Sequence, residues 1–170
     1  GTAWPDPKLG WLQLTAAGGH AGNDLKHAVI RRWISPIAGK VSIAGTIKHE
    51  HVEGHGIRAH LVSSRHGLLG NWVLHNQSAD AQAENLAVEP GDTIDFMVSI
   101  HESLNNNDFI WSPVIRLTGP KLVRDANGAV PDWDAKRDFS GPTPEREAPL
   151  TAWEKYAQAL LLSNEFLFVD

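Results

Sequence analysis

The sequence predicts a mainly β protein: an antiparallel β-sandwich (jelly roll, about eight strands) with an extended linker and one C-terminal amphipathic helix. Three observations carry this expectation. Between Gly10 and Thr118, short apolar-alternating runs recur at roughly ten-residue intervals, each closed by Gly, Pro, Asn or Asp. No helical pattern separates them, so successive strands return antiparallel rather than through crossovers. After Gly119 the alternation stops, and an apolar stripe at helical spacing appears only near the end of the chain.

Taken in order, the expected strands are Trp11–Leu14, Ala28–Ile34, Lys40–Lys48, Ile57–Ser63, Trp72–His75, Glu84–Val88, Thr93–His101 and Phe109–Leu117. The seventh is the clearest. Ile94, Phe96, Val98 and Ile100 fall on one face, with Thr93, Asp95, Met97 and Ser99 on the other. Val41, Ile43 and Ile47 repeat the pattern, with Gly45 on the same face where a large side chain has no room. Ile57, Ala59 and Leu61 do so again. Pro36–Gly39, Arg65-His66-Gly67 and Glu89-Pro90-Gly91-Asp92 supply the residues that reversals need. The body is therefore expected over residues 1–119.

Residues 120–149, rich in Pro, Asp, Arg and Gly, read as a wrapping linker that Trp133 and Phe139 pin to the sandwich. Residues 150–170 read as a helix and apolar tail. Thr151-Ala152-Trp153-Glu154 forms a capping box, and Trp153, Tyr156, Ala157, Leu160 and Leu161 form one stripe. That stripe, with Phe166–Val169, is expected to pack on this domain or on other domains of a parent protein.

Composition sets bounds on function. The net charge of −5 and the lack of a basic block argue against nucleic acid as a partner. No run is apolar enough to be a transmembrane segment, and the N-terminus has no signal-peptide pattern. The absence of cysteine removes disulfides, thiolate metal sites and cysteine catalysis. Seven Trp beside one Tyr must be divided between core volume and flat binding surface. The strand phase places Trp33, Trp72 and Trp111 inward, and leaves Trp4 and Trp11 less determined.

Three polar clusters are candidates for chemistry. His49, His51 and His55, with Glu50 and Glu53, offer imidazoles suited to zinc or copper, but the leading reading of this cluster is a solvated polar loop. Glu102 to Asp108 is dense in oxygen and amide groups. Asp108, Glu102 and Asn105 suit calcium, while Asn105 and Asn107 suit sugar hydroxyls, against the plainer reading of Asn and Asp as turn formers. Gly18 to Asp24 is a second such loop, with His20, Asn23 and Asp24 as sugar-binding candidates and Trp72 as a stacking surface. Ser63 and Ser64 lack a nucleophile elbow, and Asp95 with Glu102 is a weak carboxylate pair. No catalytic residues are expected.

GWLQLTAAGGHAGND, HAVIRRWISPIAGKVSIAGTIKH, GIRAHLVSSRHGLLGNW, EPGDTIDFMVSIHESLNNNDFIWSPVI and LTAWEKYAQALLLSNEFLFVD resemble the C-terminal part of large planctomycete proteins that carry c-type cytochrome domains. The resemblance implies an exported multidomain parent, hence a periplasmic or extracellular location, with no haem in this segment. The strand region is also similar to galactose-binding-like jelly rolls and carbohydrate-binding modules, which often hold a structural calcium. There the turn matching Gly54-His55-Gly56 commonly reads Gly-Asp-Gly, so His55 departs from the pattern, whereas Asp108 before Phe109-Ile110-Trp111 keeps it. The leading expectation is a non-catalytic carbohydrate-binding module recognising a polysaccharide or oligosaccharide. The alternative is a structural assembly domain with no ligand of its own, and a metal-assisted or glycan-active enzyme comes third.

Overall fold

The computed structural model describes residues 5–119 and 131–140. By contacts the chain divides into two compact units, Gly1–Phe139 and Ser140–Asp170. The helix expected within 150–170 lies outside the described residues.

The first unit is mainly β with antiparallel sheets, consistent with a β-sandwich. Its strands are β1 (Gln13–Leu14), β2 (Gly18–His20), β3 (Val29–Ile34), β4 (Gly39–Ala44), β5 (Thr46–His49), β6 (Ile57–Ser63), β7 (Gly67–Leu74), β8 (Gln77–Asp80), β9 (Ala83–Val88), β10 (Thr93–Ile100), β11 (Asp108–Trp111), β12 (Val114–Thr118) and β13 (Asp132–Asp134). One sheet runs β3-β10-β6-β7. The others run β1-β2-β11-β5-β8 and β13-β12-β4-β9. Only Gly45 separates β4 from β5, and only Ser112 and Pro113 separate β11 from β12, so these two sheets join as one bent layer.

The bend has a local cause. A Cβ on Gly45 would stand 3.1 Å from Pro113 Cα and 3.5 Å from Trp111 Nε1, so a side chain would push the two kinked strands apart. Pro113 has no N–H to give a ladder and interrupts the second strand at the same level. Ala81 N–H donates to the Gly45 carbonyl at 2.8 Å, which carries the pairing around the corner. The single strands expected over Lys40–Lys48 and Phe109–Leu117 are therefore each two strands, because a flat ladder cannot pass this bend.

The core forms where the period-two faces meet. Ile94, Phe96 and Val98 of β10 and Ile57, Ala59 and Leu61 of β6 are buried in one layer. Val41, Ile43, Ile47, Phe109, Trp111, Ile115 and Leu117 are buried in the other. Trp111 joins the layers, its ring edge-on to Phe96 at 5.2 Å and to Trp72 at 6.1 Å between centroids. At the far side, Trp33 meets Trp133 at 5.1 Å. Each such aromatic contact adds about 0.5–1.5 kcal/mol beyond area burial. Trp133 sits on β13, which pairs with β12, so this part of the region read as a linker completes a sheet edge. Arg31, inward-facing on β3, donates to the Thr15 carbonyl at 2.6 Å and lies 5.3 Å from the Phe139 ring centre.

Strands β2 and β7 differ from the sequence reading as well. Gly18 to His20, expected in a loop, is strand β2, because glycine alone fits there: a Cβ on Gly18 would run into the Phe109 carbonyl oxygen of the paired β11. Strand β7 begins at Gly67 rather than Trp72, since Gly67 at φ 74° closes the tight turn after β6. Within β7, Gly70 leaves the space that the Trp72 ring fills.

Gly18→Val should lower stability by about 1–3 kcal/mol through overpacking against β11. The check is a urea midpoint that falls at unchanged m-value; an unchanged midpoint would contradict the close β2–β11 approach.

Candidate functional site

The chain reversals β2–β3, β5–β6, β7–β8 and β10–β11 meet at one end of the sandwich, as the cross-strand pairs Val98↔Val29, Ile100↔Ile57 and Ile57↔Leu74 require. At their centre is His49, the last residue of β5 and 1% exposed. Its Nε2–H donates to the Asn106 carbonyl at 2.6 Å, and the Asn76 N–H donates to its Nδ1 at 3.1 Å. Those two bonds assign the tautomer, with the proton on Nε2. Asn76 and Asn106 are both left-handed, at φ 48° and 54°, so one buried imidazole fixes two strained reversals. The other histidine rings follow suit. His75 Nε2 donates to the Val52 carbonyl at 2.8 Å, and His51 Nε2 lies 2.8 Å from the Asp108 carboxylate. His55 Nδ1 is 2.8 Å from Ser103 Oγ.

The structure therefore brings the three sequence-predicted clusters together. Asp108 is directly opposite His20 across β11 and β2, and the Ala21 N–H donates to the Asn107 carbonyl. Many of their side chains are spent on backbone. Asp24 accepts from the Lys26 and His27 N–H groups and pairs with the His27 ring, and its carboxyl is held below the usual range by these hydrogen bonds, which outweigh the opposing effect of burial. Asn107 is fully buried and donates to the Ser103 carbonyl. Asn23 lies against Gly10 and donates to the Lys8 carbonyl at 3.5 Å. Glu102 is 3.3 Å from His101 Nε2, and the Asn105 carbonyl packs under Gly54. Trp72 is half-buried and turned inward onto Trp111. His49 is buried, contrary to the solvated polar loop expected of this cluster. Among the described residues, no three His, Asp or Glu side chains form a group that could hold a metal ion. Oxygen donors from Asn and backbone carbonyls lie outside that count.

A cleft of about 290 Å³ at this end is lined by Lys48, His49, Glu50, Asn76, Gln77 and Ser78, and two larger clefts border the same end. One, of about 320 Å³, is lined by Gln13, Thr15, Gly18, His20, Asp108 and Phe109 among others. The other, of about 360 Å³, lies on the outer face of β3-β10-β6-β7. The pairing Ser99↔Arg58 and Met97↔His60 sets four side chains in two adjacent rows there. His101 continues from β10, and Leu25 and Ala28 of the β2–β3 connection form a wall. An Arg58 terminal N–H donates to His101 Nδ1 at 3.3 Å, which leaves the His101 proton on Nε2 towards Glu102. The His60 imidazole is held below the ordinary histidine range, first by burial and then by the nearby Arg58 charge.

The sequence reading did not single out this second cleft. Arg58 and His60 alternate with Ile57, Ala59 and Leu61, so their outward phase is legible. Their alignment beside Ser99 and Met97 depends on strand register, which the sequence leaves open.

No family model, curated protein or solved structure matches the chain.

Truncating His49 to Ala leaves the Asn76 N–H and the Asn106 carbonyl without their partner in a dry site, and should cost about 3–5 kcal/mol. Equilibrium denaturation checks this; a loss below about 1 kcal/mol would show that the reversals hold without it.

His60 supplies a pH test. Its folded pKa is depressed, so below the unfolded value of about 6.5 the unfolded chain binds the proton more readily, and stability falls as pH drops through the folded pKa. His60→Gln removes that loss. Urea titrations at pH 7.5 and 5.5 should show the variant gaining on the parent at the lower pH; a constant difference contradicts the assignment.

Proposed function

We propose that this unit is a non-catalytic carbohydrate-binding module of jelly-roll type, and that its ligand seats in the outer-face cleft. One observation carries the reading: a half-closed cleft of about 360 Å³ sets a hydroxyl, two imidazoles and a guanidinium against Leu25, Ala28 and Met97. Sugars present this mixture in reverse, with hydroxyls around the ring edge and C–H groups on its faces, so a few convergent polar groups beside apolar surface suit them. The catalytic alternatives lack comparable support. Ser63 Oγ accepts from the Arg65 and His66 N–H groups as a turn cap, and Asp95 is occupied by Arg32. The motif resemblance supports an exported bacterial parent whose cytochrome domains lie elsewhere, and a periplasmic or extracellular setting follows from it.

The assembly reading is favoured by a separate observation. Leu25, Ile30 and Val73 are exposed on or beside the same outer face, at 64%, 44% and 40%. A partner domain would cover them.

A polysaccharide panel separates the two, run with and without calcium so that the expected ion is tested as well. Retention of the protein on at least one glycan, without release of reducing sugar, is the expected outcome. No retention under either condition contradicts the module and leaves the assembly domain.

A further inference from the structure

Of the described arginines, Arg58 and Arg116 make no ion pair; Arg116 is exposed, whereas Arg58 is half-buried and lines the outer-face cleft. Arg32 binds Asp95 at 2.7 Å, Arg65 binds Asp92 at 2.6 Å, and Arg137 binds Asp132 and Asp138 at 2.8 Å. Arg31 donates to the carbonyls of Thr15, Ala16 and Ala135. Arg58 makes no ion pair among the described residues, although the protein carries more acidic than basic side chains. Its one side-chain hydrogen bond, to His101 Nδ1, holds the guanidinium in place without neutralising it. A half-buried cation without a counter-charge costs free energy that a bound anion recovers.

We infer that the outer-face cleft selects acidic glycans, with a uronate carboxylate or sulfate ester seated on the Arg58 guanidinium. The inference rests on the carbohydrate reading and adds the chemical class of ligand. A guanidinium presents its N–H groups as a planar fork, which matches two oxygens of one anionic group, and only one arm of this fork is taken by His101. Ser99 and His60 lie in the adjacent positions, and both can donate to the same group or to a neighbouring hydroxyl. Leu25, Ala28 and Met97 are placed to cover the sugar face. Glu102 reaches His101 rather than Arg58 and is exposed.

The test uses polysaccharide pairs that share a backbone and differ in charge: carboxymethylcellulose against cellulose, and dextran sulfate against dextran. Affinity electrophoresis of the full chain should show retention on the charged member of at least one pair. Arg58→Gln should weaken it about tenfold or more, the usual value of a charge-assisted hydrogen bond, while Arg32→Gln on the same face leaves it within about twofold. Arg58→Lys should recover part of the loss, since charge remains and the fork is gone. Imidazole resonances of the parent protein supply a readout independent of folding, and sodium glucuronate should raise the His60 titration midpoint. Preference for the neutral members overturns the inference and leaves the module standing. Equal losses in Arg58→Gln and Arg32→Gln show mere charge attraction and overturn it as well. Retention on none of the polymers defeats the module, and the inference falls with it.

Discussion

The buried His49 imidazole holds the loop end of this sandwich together. A β-layer ends in reversals whose backbone groups must find partners, and two of these reversals pass through left-handed asparagines. The imidazole meets both from one position, donating on one side and accepting on the other. Neither lysine nor a carboxylate could do this, because an ammonium only donates and an ionised carboxylate only accepts. The β5–β6 connection follows from that placement, since Gly54 and Gly56 carry the chain over the β10–β11 loop and past β7 at positive φ. What reads as a cluster of metal ligands is mostly the internal bracing of three loops.

Bracing of this kind frees the neighbouring face for binding. With His49 and Asp24 bracing the loops, and Asn107 donating to the Ser103 carbonyl while its buried Oδ1 has no partner among the described residues, Arg58, His60 and Ser99 stand on the outward rows of β6 and β10. Strands hold side chains more rigidly than loops, and a rigid site loses less entropy when a ligand docks. Exposed ion pairs elsewhere contribute little to stability, and their main effect here is to occupy Arg32, Arg65 and Arg137. Charge complementarity then falls on Arg58.

Most of the fold was legible because burial on one face writes itself as period two. β10 and β6 kept their expected bounds to within a residue, and Gly45 was recognised as a position without room. The corner itself was not legible, since Pro113 and Gly45 are 68 positions apart by number (113 − 45) and only the three-dimensional pairing shows that they touch. β8 was missed because Gln77–Asp80 is short and polar, and it is held by its pairing with β5 rather than by an apolar face. The polar loops were found by composition. Their chemistry was not, because composition counts donors and acceptors without showing which are already used. Arg58 stood out only after every other arginine close to it had found a partner.

The central claim is that the ligand binds the outer sheet face and not the histidine-rich loops. Titration of isotope-labelled protein with an acidic oligosaccharide, followed by amide and side-chain NMR shifts, tests it most directly. The largest changes should fall on Arg58, His60, Ser99 and His101, with His20 to Asp24 and Asn105 to Asp108 nearly unmoved. Changes concentrated in those two loops, with the Arg58 row silent, would contradict it.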